Sequence, residues 1–568
     1  MRDPVKKLAL AMAAVFSFTI IVYLNSLSNK LLWDDTVFIN QNPFVSDCAN
    51  LKTALNPVYL AKILPVRMGA RPLVNITLLM DTCSGTGPLG MRVTNLLLHA
   101  ANAVLAMTVA YALTSALWPA VLAGLIFGLH PAAAEPVAII TFRSQLLCVF
   151  FYLSALLTGL IYLRQKNPLF LAASALAALA AMLSNEAAIT YPLVFALLYL
   201  TLEKADDNRR RLVFYLSLCA LVAVVYFWFR LPRGGYDIAG AAPFSSAGFD
   251  ILYPRVLMPE TRGNGQFAFV SPEVMIPKGW EGAKFELLSI PPWSAIYTSW
   301  KLKFYTMSAI AAGYLADLLL PLRLKADYNP PVIGTLRGAL PGLAALVLAG
   351  FAAFRLRRRI PLAAFGLLFV FAALLPVMNL IPIYNIKADR YLYLPLAGWA
   401  LIAAALAAAA QDGKRAKAAR LGFLLYAVFL GALTFARNPV FKDEFAFFSA
   451  ASAGDNAAPR ALINMAAVYF SRGDGEKARE HMKRALAVQD NHQVRLCWAE
   501  MELVLGSRRG GRELLAQILK EDPRNYKALY LKTLDAETPG EPEKDKDLVF
   551  SGGVAVERRA PSPAPTRN

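Results

Sequence analysis

The chain has 568 residues, 57% of them hydrophobic and 17% charged, with a formal net charge of +19. That much apolar side chain exceeds what the core of one water-soluble domain hides, so the composition excludes an ordinary soluble enzyme and points to a bilayer protein. The surplus Lys and Arg are scattered through short segments and not gathered beside aromatic residues, which excludes a nucleic-acid-binding surface.

Runs of about 18 apolar residues with few charges predict membrane-crossing helices. Eleven such runs occupy residues 8–28, 94–117, 119–136, 146–163, 168–184, 187–202, 211–231, 337–354, 360–383, 391–410 and 419–436. The first follows Arg2, Lys6 and Lys7 and lacks a small-residue cleavage site, so it reads as an uncleaved helix and not a removed signal peptide. Just beyond it, Trp33-Asp34-Asp35 sets two carboxylates at a membrane edge, where charge is costly enough to imply a purpose. Taken alone, the pair equally fits a solvated cap or turn. The first loop, 29–92, also carries Arg67, Arg71, Asp81, Cys48 and Cys83. These two cysteines either pair in an oxidising compartment or remain free thiols; the five in the chain form no disulfide framework and show no metal-ligand spacing.

Further along, Asn95 and His99 lie in the second run, where His99 reads as structural. The third run closes at His130-Pro131 and Glu135, followed by Arg143; the fifth closes at Asn185-Glu186. A second loop, 232–297, is rich in Gly, Pro and aromatics, and Trp280, Trp293 and Trp300 near its end suit a lipid interface. Residues 298–320 carry Lys301, Lys303 and Asp317, which predicts an interfacial helix and not a crossing. Lys387, Asp389 and Arg390 open the tenth run.

Basic clusters at Arg164 and Lys166, Arg209 to Arg211, Arg355 to Arg359 and Lys414 to Arg420 fall at alternate connections, which marks those connections as cytoplasmic. With the amino terminus inside, eleven crossings leave the carboxyl-terminal region outside. In that region, residues 438–535, the spacing Leu462, Met465-Ala466, Tyr469, Gly473, Ala478, Met482, Ala485-Leu486 fits a tetratricopeptide repeat. A degenerate second copy runs from His492 through Trp498, Gly506, Leu515 and Leu519 to Asp522-Pro523, with helices at 441–453 and 525–531 as caps. Such an array offers a peptide- or partner-binding surface; a plain helical appendage is the alternative. The tail, 536–568, has a composition that predicts disorder.

Moving a sugar from a lipid phosphate to a hydroxyl needs a carboxylate to take the acceptor proton and cations to hold the departing phosphate. The predicted topology brings both to one face of the membrane. Asp34 and Asp35 are the catalytic candidates; Arg143, Arg390, Lys387 and Arg71 are candidates for the donor phosphate, with His130, Glu135, Glu186 and Asp389 in support. Singly, each of these is more often a snorkelling cap than a ligand.

At these residues the chain stops looking generic. The ordered set Trp33-Asp34-Asp35, Arg71-Pro72-Leu73, Asn95 to His99, His130 to Glu135 with Arg143, Ser184-Asn185-Glu186, Leu320-Pro321 to Asp327-Tyr328 and Asp389-Arg390 to Pro395, ending in repeat helices, resembles the transmembrane and tetratricopeptide-repeat-containing O-mannosyltransferases and their bacterial relatives. These belong to the GT-C glycosyltransferase superfamily. The resemblance spans nearly the whole chain apart from the 232–297 loop and the tail.

What the resemblance implies is an all-α, polytopic GT-C-like bundle with a carboxyl-terminal helical-repeat domain. It further implies a polyprenyl-phosphate-linked sugar donor, a protein or envelope glycan acceptor, inverting transfer on the non-cytoplasmic face, and Asp34 or Asp35 as general base. The setting is a bacterial inner membrane with the repeats in the periplasm. A divalent metal at Asp34 and Asp35 is left open. Three departures stand out: Asn185 replaces the family's lysine, Asp389 replaces its glutamate, and the repeat array is short. The main rival is a non-catalytic scaffold that collects envelope proteins through its repeats; a polymer ligase or lipid-modifying transferase of the same fold is a second.

Overall fold

The computed structural model describes residues 4–32, 34–35, 39, 42–56, 71–202, 209–230, 258–261, 267–270, 296, 299–380, 383, 385–410, 416–454, 456–505, 507–537, 548–551 and 554–557. Trp33, Arg67, Trp280, Trp293, Lys414, Gly506, most of the 232–297 loop and most of the tail lie outside them. The chain divides into two compact units: the first comprises Met1–Met275, Trp293–Leu324 and Pro330–Asp443, the second Ile276–Pro292, Lys325–Asn329 and Glu444–Asn568.

The helices of the first unit are α1 (Pro4–Tyr23), α2 (Pro72–Cys83), α3 (Gly87–Thr114), α4 (Leu117–Leu129), α5 (Ala134–Ala138), α6 (Arg143–Gln165), α7 (Pro168–Ser184), α8 (Tyr191–Leu202), α9 (Arg209–Arg230), α10 (Trp300–Leu319), α11 (Leu336–Arg359), α12 (Pro361–Leu374), α13 (Pro395–Ala409) and α14 (Ala416–Arg437). Each of the eleven apolar runs overlaps at least one of them. Among the described residues, however, five helical stretches suffice by length and composition to cross a membrane: Pro4–Ser26, Gly87–Thr114, Ile140–Gln165, Leu336–Arg359 and Ala416–Phe441. Leu117–Leu129 with Pro131–Ala138, bent by 46°, makes a sixth. The remaining runs fall on shorter apolar helices of 10–17 residues, several of them cut short where the polar motifs interrupt the apolar run. The segment expected at the interface is the 20-residue helix α10, which packs on α11.

Small residues let the helices close on one another, as bilayer packing favours. A Cβ added to Gly366 on α12 would lie 2.7 Å from the Gly398 carbonyl oxygen on α13, and one on Gly398 would meet the Gly366 oxygen equally closely. Helix ends follow local chemistry. Asn167 caps α7 by accepting the Leu169 amide at 2.9 Å, and Lys166 ends α6 in the left-handed region at φ 63°. In the first loop, Cys48 and Cys83 are joined in a disulfide, which decides between the two sequence readings. Phe44, Val45 and Ala54 of that loop pack with Val74, Leu78 and Leu79 of α2 and with Ile140 and Leu147, fastening it to the bundle.

The described helices of the second unit are α15 (Glu444–Ala451), α16 (Pro459–Ser471), α17 (Gly475–Val488), α18 (His492–Val504), α19 (Arg508–Glu521) and α20 (Tyr526–Glu537). Pairs α16 with α17 and α18 with α19 pack face to face, and the pair-opening helices start 33 residues apart, at Pro459 and His492. Leu462, Ala466, Ala478, Met482 and Ala485 interlock in the first pair, at the positions the spacing singles out. Two four-residue hairpins complete the described structure: Met258–Thr261 with Phe267–Val270, and Leu548–Ser551 with Val554–Glu557. The second lies in the tail expected to be disordered; its Val and Phe residues, flanking Gly552-Gly553 in the sequence, favour local strand pairing.

Candidate active site

The two adjacent aspartates separate sharply. Asp35 is fully buried. Its Oδ1 accepts the Thr141 amide at 2.8 Å and its Oδ2 the Ile140 amide at 3.1 Å, at the turn that opens α6. Burial pushes its carboxyl up to about 6, against the two amide hydrogen bonds that favour the anion. Asp34 is part-exposed. It makes no hydrogen bond or ion pair with a described residue, and its charge is felt by both Asp35 and Arg390.

Each predicted phosphate ligand is paired with an acid. Arg390 reaches Glu135 twice, from its backbone N–H to Oε2 at 2.8 Å and from Nη1 to Oε1 at 2.5 Å, with its guanidinium 4.6 Å from the Phe142 ring centre. Burial opposes its charge, but Glu135, Tyr391 and Asp34 outweigh it and hold Arg390 above its usual range. Arg71 pairs with Glu186 at 2.7 Å and donates to the Ser144 Oγ at 3.3 Å. Lys387 meets Asp317 of α10 at 2.7 Å, and Arg143, fully buried, meets Asp81 at 2.6 Å while donating from Nε to Asn95 at 2.7 Å. Asp389 pairs with Arg437. Charge-assisted pairs of this kind fix guanidinium geometry without neutralising every donor edge.

His130 does not join the charged cluster. Its Nδ1 accepts the Ala132 amide at 3.2 Å and its Nε2 donates to the Leu318 carbonyl at 3.1 Å, so it caps the break between α4 and α5. Asn185, standing where the family lysine is expected, caps the turn after α7 by accepting the Ala187 amide at 3.0 Å, and its Nδ2 lies 3.4 Å from the Ser144 Oγ. Among the described residues no group of three or more His, Cys, Asp or Glu is placed to hold a metal ion.

Sequence reasoning missed Asp81, Asp317 and Arg437 as partners, and it missed Arg92. Arg92 lies in the second turn of α3, is 4% exposed and feels the Asp35 charge. The apolar run begins only at residue 94, which left Arg92 in the loop; a charge inside a spanning helix was the available signal.

No protein-family model matches the chain. Curated relatives include the Tmtc2 and Tmtc1 protein O-mannosyl-transferases of Drosophila melanogaster, each 29% identical, over 37% and 32% of this chain and 24% and 21% of their own lengths. A protein O-mannosyl-transferase of Caenorhabditis elegans is 22% identical over 84% of this chain and 63% of its own. The matched stretches thus span less than two thirds of each relative. Among solved structures, the archaeal oligosaccharyltransferase AglB of Archaeoglobus fulgidus, in complex with an inhibitory peptide and a dolichol-phosphate, aligns over 83% of this chain and 59% of that one, with 16% identity and a TM-score of 0.36. The chain is thus similar to protein O-mannosyl-transferases, over about a third of its length for the two Drosophila proteins and over most of it for the nematode one.

Proposed function

We propose that the protein is a membrane glycosyltransferase that moves a sugar from a polyprenyl-phosphate donor to a protein or envelope glycan hydroxyl on the non-cytoplasmic face. Asp34 is the general base in this reading. It takes the acceptor O–H proton as the new bond to the sugar C1 forms and the bond from C1 to the phosphate oxygen breaks, the departing polyprenyl phosphate keeping the electron pair. The developing phosphate charge falls to the preorganised arginines around it.

The observation that carries the assignment is the split between the two acids. Asp35 spends both oxygens on the Ile140 and Thr141 amides and orders the turn, whereas Asp34 is part-exposed, makes no hydrogen bond with a described residue and feels the charge of Arg390. Glu135 and Glu186 orient Arg390 and Arg71 as positioning residues. The side of the membrane is supported by the disulfide in the first loop, which suits an oxidising compartment, and by the alternate basic connections. The helix pairs of the second unit fit tetratricopeptide-type repeats that grip an acceptor. That same surface is what a non-catalytic scaffold would use.

The test compares Asp34→Asn with Asp35→Asn in the full-length protein. The amide keeps the shape and cannot take the proton, so Asp34→Asn is expected to lower transfer at least 100-fold, the low end for a general base, with thermal stability unchanged. Asp35→Asn is expected to lower stability, because its Nδ2 would face an amide N–H. Undiminished transfer, or full complementation of a deletion phenotype, by Asp34→Asn would return the protein to the scaffold class.

A further inference from the structure

Among the described residues, one buried cation of the cluster leaves a whole edge without a partner. Arg92 is 4% exposed; its Nη1 reaches the Pro88 carbonyl at 3.5 Å, while Nε and Nη2 are buried without a hydrogen-bond partner among the described residues. Nε and Nη2 together form the edge of a guanidinium that engages two oxygens of one anion in parallel. Leaving that edge empty in a low-dielectric site costs free energy comparable to a buried unsatisfied charge, so the fold retains it against its own stability. Two further arginines carry the same signature: Arg143 Nη1 and Arg71 Nε are also buried and without a hydrogen-bond partner among the described residues, although both arginines already hold an acid through their other nitrogens. Arg92 and Arg143 both lie within Coulombic reach of Asp35, next to the open Asp34. Arg92 and Arg143 thus share the Asp35 charge, Arg390, paired with Glu135, feels Asp34, and Arg71 reaches Ser144, the residue after Arg143.

We infer that Arg92 is the main anchor of the phosphoryl group of a lipid monophosphate, its Nε and Nη2 gripping two phosphate oxygens with Arg143 Nη1 and Arg71 Nε as secondary donors. This rests on the transferase reading above and shifts the centre of donor binding from Arg390, whose Nη1 is already committed to Glu135, to the start of α3. Phosphate suits the set because it carries oxygens enough for all three donor edges. A carboxylate, planar and with two oxygens, would satisfy Arg92 and leave the other two edges empty.

The experiment measures binding of a short-chain polyprenyl phosphate, without sugar, to full-length protein in phosphatidylcholine nanodiscs. Arg92→Gln and Arg92→Lys are each expected to weaken it by about 10-fold or more, since lysine keeps the charge and loses the fork. The lysine variant still balances Asp35, so it keeps the test decisive if the glutamine variant fails to fold. Repeating the measurement with phosphatidylglycerol discs separates the lipid sources: a bilayer phosphodiester that binds equally well through Arg92 would overturn the monophosphate assignment. Unchanged polyprenyl phosphate affinity in the lysine variant would overturn the inference as a whole. A wild type that binds through Arg92 and transfers no sugar would sink the transferase reading alone and leave this site standing.

Discussion

At the scale of single residues, adjacency in the chain conceals opposite environments. Asp34 and Asp35 are one peptide apart, yet one is open and the other has both oxygens tied to the backbone of residues more than 100 positions away. Nothing in the string Trp33-Asp34-Asp35 distinguishes them, because the difference comes from the turn at Ile140-Thr141 that arrives from another part of the fold. The elevated Asp35 pKa gives a stability signature with a definite sign. A carboxyl raised in the folded state favours folding when protonated, so its contribution is fully present below about pH 4 and is lost as the pH rises through about 6. Over that window the wild type is expected to lose on the order of 3 kcal/mol relative to Asp35→Asn, which does not titrate. Thermal unfolding of both proteins between about pH 3.5 and 7.5 checks it. A stability gap between them that stays constant across the window would show that Asp35 does not titrate there.

Where a helix breaks inside the bilayer, its freed carbonyls have to find donors within the protein. The α4 to α5 break shows how. Pro131 cannot donate, and the carbonyls upstream are taken up by side chains: the Gly128 oxygen by His99 Nε2 at 3.1 Å and the Leu129 oxygen by Thr434 Oγ1 at 2.6 Å. His99 in turn accepts from the Tyr393 hydroxyl at 2.9 Å, and Asn102 Nδ2 donates to that hydroxyl at 3.1 Å, so the break is tied to the segment that carries Arg390. Thr434→Val, nearly isosteric, would leave the Leu129 carbonyl short of its donor and is expected to cost on the order of 1 kcal/mol in unfolding. Thr108→Val is the control, because that hydroxyl bonds only within its own helix, to the Val104 carbonyl. Equal stability loss in the two variants would mean the break is held by something other than Thr434. The helices themselves were legible from apolar runs, since each run carries its own signal. The pairs that build the site were not: Arg71 meets Glu186 across 115 residues and Arg390 meets Glu135 across 255, separations at which charge alone assigns no partner.

Across the whole molecule, the proposed chemistry requires one particular topology, and α10 decides it. If α10 crossed the bilayer, the basic stretch at the end of α11 would face outward, against the tendency of Lys and Arg to stay inside. Its contacts favour the interfacial placement. Along most of its length α10 meets segments assigned to the outer ends of the bundle: Met307 to Asn379, Tyr314 to the Ala388 amide, Asp317 to Lys387 and Leu318 to His130. A helix running along the outer surface makes contacts of that kind, whereas a crossing helix would leave them after two or three turns. The native cysteines make the test clean: Cys48 and Cys83 are bonded to each other, and Cys148, Cys219 and Cys497 are buried, so a single introduced thiol dominates the signal. On intact cells a membrane-impermeant maleimide is expected to label Lys483→Cys and to leave Arg358→Cys and Lys417→Cys unmodified until the cells are opened; all three positions are exposed on the protein surface. Labelling of Arg358→Cys from outside would place α10 across the membrane and break the parity on which eleven crossings rest. Labelling of Lys417→Cys as well would invert the bundle and put Asp34 and its arginines on the cytoplasmic side.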